Sequence, residues 1–323
     1  MDPKTIKQVT ADSLAAPNYS PGKLALLHTG AMLALSLVTA LLTYLLGLGM
    51  NSAGGLSGVA IRSVYASAQT IISMVGTFAL PFWQVGIVYI GLKFARKEAA
   101  EPKDLAEGFR RFGSVLRLTL LLLLIFIGVT FASAYVSTAL FMFSPASESV
   151  YEALEQLATT SDVNAITTEQ LLEIAPQLNW VVVLNFVVML VLGLPFYYRY
   201  RLSEFALMDG APGALAAMRA STMFTRFHRM QLFKFDLSIW WYHGITLLIS
   251  LLASGDMLLE LLGVTLPING VALHWILFAV SGIANLLFVW KFGVWYQTAY
   301  AHCYLKLKDW AENPPEDSAP LPY

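Results

Sequence analysis

The ionisable and polar positions inside otherwise apolar stretches are the places where this chain could do chemistry. Lys234, Asp236 and Lys291 are charged, and a charge within a hydrophobic segment is costly enough that function is its default explanation. Gln69, Ser73 and Gln84 share one apolar stretch with Gly76, Thr77 and Gly91, and His274, Ser281 and Asn285 share another. Such a polar and small face either admits close helix contact with interhelical hydrogen bonds or lines a solute path. Gln69, Ser73, Gln84, Asn285 and Lys291 are therefore the candidates for a polar path or a packing seam. Lys234 and Asp236 stand beside Trp240 and Trp241, where an interfacial ion pair or snorkelling accounts for them. The five histidines, His28, His228, His243, His274 and His302, lie on separate segments without an HExxH or comparable spacing. No metal site is therefore expected. No Ser-His-Asp arrangement is legible, so no catalytic residue and no cofactor are assigned. Asp209, in Asp209-Gly210-Ala211-Pro212, reads as a turn and capping residue.

The elements that must position these residues are membrane helices. The 323 residues are 57% hydrophobic and 13% charged, with a mean hydropathy of +0.62, values that belong to a multi-spanning membrane protein rather than to soluble domains. At a rise of about 1.5 Å per residue, roughly 20 apolar residues cross a bilayer core. Six stretches meet that length: Leu24–Leu48, Val64–Leu92, Val115–Phe143, Trp180–Tyr198, Leu232–Leu262 and Val271–Tyr300. The fold class expected is all-α and polytopic, with six transmembrane helices. A single cysteine, Cys303, excludes an intrachain disulfide. Residues 1–22 carry no signal-peptide pattern, so the first span is expected to be retained.

The net charge of −1 conceals a segregation by sign. Lys4, Lys7 and Lys23 precede the first span. The second connection holds Lys93, Arg96, Lys97, Lys103, Arg110, Arg111 and Arg117, and the fourth holds Arg199, Arg201, Arg219, Arg226, Arg229 and Lys234. The third connection, 144–179, contains Glu148, Glu152, Glu155, Asp162, Glu169 and Glu173 and no basic residue. Arg62 is the sole exception among the 20 basic residues. Cytoplasmic loops retain Lys and Arg, so both termini are expected in the cytosol and the acidic connection outside. Within that connection Ser144-Pro145 and Thr167-Thr168-Glu169-Gln170 are helix starts, which predict an acidic helical pair on the outer surface. Gly47–Gly58 has the composition of a nucleotide loop, but no strand precedes it, and a flexible linker is expected.

Three prolines open comparable segments at Pro3, Pro102 and Pro212, followed by apolar residues at helical spacing: Ile6, Val9 and Ser13; Leu105, Phe109 and Phe112; Leu215, Met218 and Met223. The organisation expected is a single membrane domain of three repeats, each an amphipathic cytosolic helix followed by a transmembrane hairpin. The first hairpin covers 24–98, the second repeat 102–207, the third 212–308, and a cytosolic tail 309–323. The helices opened by Pro102 and Pro212 are expected on the inner membrane surface, with Arg110, Arg111, Arg226 and Arg229 contacting anionic lipid headgroups.

Asp104-Leu105-Ala106-Glu107-Gly108-Phe109, Leu207-Met208-Asp209 with Ala217, Ser221 and Met223, Leu232-Phe233 with Leu237-Ser238 and Trp241, and Tyr296, Thr298, Ala301 and Tyr304 resemble a known pattern. So do Ile6-Lys7, Leu14 and Asn18-Tyr19 near the N-terminus. The pattern is that of bacterial integral membrane proteins catalogued as domain-of-unknown-function family nine-seven-five. Trp295 stands where that family's pattern has a proline, and the glycine it places near Arg226 is missing. The resemblance implies a polytopic protein of the bacterial cytoplasmic membrane and transfers no catalytic residues. The function expected is that of a non-catalytic accessory or organising component, with the lipid bilayer and a membrane protein as partners; a small-solute permease is the alternative.

Overall fold

A computed structural model describes residues 2–15, 20–51, 55–144, 147–148, 168–255 and 270–313. Among them every regular element is helical. In chain order the α-helices are α1 (Pro3–Ala15), α2 (Pro21–Asn51), α3 (Gly55–Ala95), α4 (Glu107–Arg110), α5 (Phe112–Met142), α6 (Thr168–Tyr200), α7 (Ser203–Met208), α8 (Ala214–Thr225), α9 (Arg229–Ser238), α10 (Trp240–Ala253) and α11 (Gly270–Glu312), with a 3-10 turn at Pro102–Ala106. Five helices are long and apolar enough to cross a membrane, or six if α9 and α10, bent by 56° at Ile239, count as one span. The multi-spanning, all-helical class is as expected. The fifth stretch differs: Leu232–Ser238 belongs to α9, which is not collinear with α10, and 256–269 lie outside the described residues.

The helices overrun the apolar stretches that announce them. α3 has 41 residues and α11 has 43, about 60–65 Å at 1.5 Å per residue, against a hydrocarbon core of about 30 Å. The C-terminal surplus of α11 finds partners, with Ala301, Cys303, Tyr304 and Leu307 buried. The chain divides into two compact units, one of residues 1–118 and 202–323 and the other of 119–201, so the expected segment 102–207 is shared between them. In the first unit α2, α3 and α11 pack on one another and α10 packs on α11. The short elements gather where the basic residues are: α1 on α11 and α3, the 3-10 turn and α4 on α3, α7 on α3 and α8, and α8 on α11. The core of this basic end is built from Leu24, Ile87, Ile90, Phe94, Leu105 and Val294, with Leu202, Leu207, Leu232, Phe235, Tyr300 and Tyr304 also buried.

Local sequence explains how each short element starts and stops. Asp2 accepts from the Lys4 and Thr5 amides at 3.1 and 3.3 Å and caps α1, as Asp does where first-turn amides lack partners. Glu101 and Asp104 close a reciprocal box around Pro102. The Pro102 start is met, but a 3-10 turn and a four-residue helix stand where one amphipathic helix is expected, and α8 begins at Ala214 rather than at Pro212. α3 ends at Ala95 and is closed off by Lys97, whose φ is +58°, with Glu98 N–H donating to Lys93 O at 2.9 Å. In the second unit, the capping signal around Thr168 opens α6 itself, which runs on through the fourth span. No separate second surface helix follows from it, because the helix continues through Pro176 into the fourth span. The remainder of the acidic connection, 149–167, lies outside the described residues.

Candidate functional site

α7 carries the apolar run Phe205–Met208 inward and ends at Asp209. The Asp209 amide donates to Phe205 O at 2.8 Å, Ala211 donates to Ala206 O at 3.1 Å, and Gly210 takes φ +102°, a left-handed conformation that glycine adopts without steric penalty. This C-terminal turn is the part of the Asp209 reading that the sequence supplies. The side chain does something else. Its carboxylate is 6% exposed and pairs with Arg96 at the end of α3 and with Lys308 near the end of α11, the latter at 2.8 Å. Tyr304 Oη, one helical turn before Lys308, donates to the same carboxylate at 2.8 Å. A negative charge at a helix C-terminus gains nothing from the helix dipole, so these three donors must supply its stabilisation. Burial pushes the Asp209 carboxyl up, but the hydrogen bonds from Lys308, Arg96 and Tyr304 outweigh it and hold the group below the ordinary aspartate value.

A second buried carboxylate also ties elements together. Asp104 accepts from Lys93 Nζ at 2.8 Å and from the Glu101 amide at 2.7 Å, fixing the 3-10 turn to α3. The approach there is backbone to backbone: a Cβ on Gly86 would stand 2.0 Å from Leu105 O, and one on Gly108 2.0 Å from Phe82 O. Phe82 then stacks on Phe109 and Phe112 at 5.3 and 4.8 Å between ring centres. Arg111 donates to Leu207 O at 2.8 Å and pairs with Glu107, linking the α4–α5 junction to α7. The polar groups of the basic end thus join α3, α7 and α11, and the turn at 102–106, through their side chains.

One pair has the composition of catalytic machinery. Ser13 Oγ lies 3.1 Å from His302 Nε2, bringing α1 onto α11. Acyl transfer needs an imidazole that can become positive and a group that stabilises it. The charged neighbour that acts on His302 is instead the Lys97 ammonium, which has the wrong sign, and Ser13 is buried. The contact is a structural pin. Among the described residues no group of three or more His, Cys, Asp or Glu side chains is placed to hold a metal ion.

The candidates for a polar path are scattered in environment. Gln69, Gln84 and Asn285 are half-buried and Lys291 is exposed, its ammonium 5.4 Å from the Phe292 ring; the Ser73 side chain lies outside the described residues. The small residues of α3 meet other helices: a Cβ on Gly76 would stand 3.0 Å from Thr39 Oγ1 of α2, and one on Gly91 2.8 Å from the Gln297 backbone of α11. The four arginines expected to face lipid separate into different uses. Arg110 pairs with Glu107 at 3.2 Å, Arg111 is spent on Leu207 and Glu107, Arg229 has a buried Nε, and Arg226 is exposed. The helix faces separate too: Leu105, Met218 and Phe224 are buried, whereas Val9, Leu215 and Met223 point away from the core.

Arg96, Tyr304 and Lys308 were not singled out by the sequence as partners of Asp209. The i, i+4 spacing of Tyr304 and Lys308 puts them on one helix face, which is a legible signal; their joint target, 95 and 99 residues away, is not. Asp104, Gly108, Leu207, Ser221, Thr298, Ala301 and Tyr304 are buried in this same basic-end core, whereas Phe109, Met223, Phe233 and Leu237 are exposed. Compared with protein-family models, with curated proteins and with solved structures, the chain finds no match.

Proposed function

We propose that the chain is a non-catalytic accessory or organising protein of the bacterial cytoplasmic membrane, with both termini and the basic end in the cytosol. The observation that carries this reading is the use of the buried ionic groups. Asp209 and Asp104 each close on cations of neighbouring elements, which stiffens a body and leaves neither of these carboxylates open toward a reacting group. The spans are the complement of that body. Phe78–Ala95 is 56% buried, whereas the other four candidate spans are 11% buried or less, leaving apolar helix surface for lipid and for the spans of another protein. The sequence spacing of Pro3, Pro102 and Pro212, each ahead of a pair of apolar stretches, supports a threefold repeat as the origin of this layout.

The test is photo-crosslinking in intact cells from positions on α5 such as Phe131 and Tyr135, which are among the most exposed aromatic residues. An organising role gives a discrete adduct with one other membrane protein or a second copy of this chain. Lipid adducts alone at every position sink it. A permease, whose path would have to run by Gln84 and Asn285, is distinguished by solute flux into proteoliposomes of the purified chain.

A further inference from the structure

α9 is joined to α10 by a single residue, Ile239, and bends from it by 56°. α10 begins Trp240-Trp241-Tyr242 and then runs uncharged to Ala253, so the aromatic belt that marks a lipid–water boundary falls at its start. A ten-residue helix is about 15 Å long. Leaving a span that follows the membrane normal at this bend, it climbs only about 8 Å, close to the 5–8 Å of headgroup zone on each side of a bilayer. One face of α9, Leu232 and Phe235, is fully buried with Ile239 in the basic-end core, and Lys7 Nζ donates to Ser238 O at 2.6 Å to tie its C-terminus to α1. The opposite face is Met230, Phe233, Lys234 and Leu237, at i, i+3, i+4 and i+7, all exposed. The preceding turn adds Arg226 and Phe227, also exposed. Asp236, the one acid on α9, has an oxygen buried.

From the bend, the stripe and its charge we infer that α9 with the Arg226–Phe227 turn is a docking surface for anionic phospholipid headgroups. Met230, Phe227 and Leu237 enter the acyl boundary, and Arg226 and Lys234 meet the phosphates. This assigns lipid recognition to a helix that the sequence reads as the start of a span. It deepens the membrane reading above and rests on it, but not on the orientation of the chain.

The experiment places a nitroxide on Met230→Cys, Cys303 being buried, in vesicles of phosphatidylcholine with and without phosphatidylglycerol. Collision with oxygen reports lipid and collision with a water-soluble nickel complex reports solvent. The label is expected in lipid when phosphatidylglycerol is present and shifted toward water when it is absent, with the same shift for Arg226→Gln/Lys234→Gln. Each basic contact near an anionic surface contributes about a factor of five, so losing both changes the ratio of docked to undocked helix about 25-fold. A label in water in both vesicles overturns the inference; so does a label in lipid in both, which means apolar contact without recognition of charge. A label shielded from both reagents also overturns it, because a protein then covers the face. The lipid comparison on the chain with both basic residues present decides the matter even if the double variant misfolds. Both leaflets of these vesicles are alike, so a reversed topology leaves the result unchanged and is detected separately.

Discussion

At the scale of single residues, the consequential side chain is one whose neighbours in sequence mark it as a turn. Asp209 is held as a carboxylate by Arg96, Lys308 and Tyr304, and removing its charge leaves two cations facing each other without their shared anion. Asp209→Asn should lower unfolding stability in detergent at neutral pH by about 2 kcal/mol, less than for a fully buried pair because both cations are about one-third exposed. The sign of the pH dependence follows from the depressed carboxyl. Its contribution is fully present above the unfolded value near 4 and is lost as pH falls through the lower folded value. Thermal unfolding scans from pH 7 to pH 3 should therefore show a steeper acid loss for the natural chain than for Asp209→Asn. Parallel curves would mean that the carboxylate adds nothing.

At the scale of elements, the tight joints are where the turn at 102–106 and α4 meet α3. Gly108 presses on the Phe82 carbonyl so closely that any Cβ must separate the two backbones. Gly108→Ala should cost about 1–3 kcal/mol and increase hydrogen exchange in α4, whereas Gly113→Ala, with nothing within 4 Å, should be nearly silent. Equal effects at the two glycines would refute the backbone contact. At the end of α3 the opposite change helps. Lys97 occupies a left-handed backbone conformation that costs an L-residue about 1 kcal/mol, so Lys97→Gly should raise stability by up to about that amount, part of it returned through the freer unfolded chain. A drop in melting temperature would show that the lysine side chain matters more than its backbone angle. The seam between α2 and α3 follows the same logic: Gly76→Leu, against Thr39, should destabilise more than Leu80→Ala.

At the scale of the whole molecule, the proposed orientation is tested by access. Ala99 is exposed between α3 and the 3-10 turn, on the basic end, and Thr160 is in the acidic connection. With the basic end in the cytosol, Thr160→Cys reacts with a membrane-impermeant thiol reagent in intact cells and Ala99→Cys reacts only after lysis. Labelling of Ala99→Cys alone reverses the orientation.

Much of this architecture is fixed by composition and order. Apolar runs of roughly 20 residues cannot remain in water and must satisfy their backbone internally, which makes them helices; that is why α2, α3, α5, α6 and α11 are legible from the sequence. Pro3 and Pro102 mark element starts because proline lacks the N–H that a first turn leaves unused. What lay beyond the sequence is where the helices stop and which polar groups meet. α11 runs twelve residues past Tyr300 to Glu312 because Tyr304 and Leu307 find a protein core there, a matter of tertiary packing rather than of hydropathy. The break at Ile239 is hidden for the same reason: α9 buries Leu232 and Phe235 against the basic end, while local propensity would let one helix continue. Asp209 reads as a turn residue because its Gly210-Ala211-Pro212 context is local and strong. Its partners arrive from α3 and from α11, and only the folded chain brings those three charges and one hydroxyl to a single point.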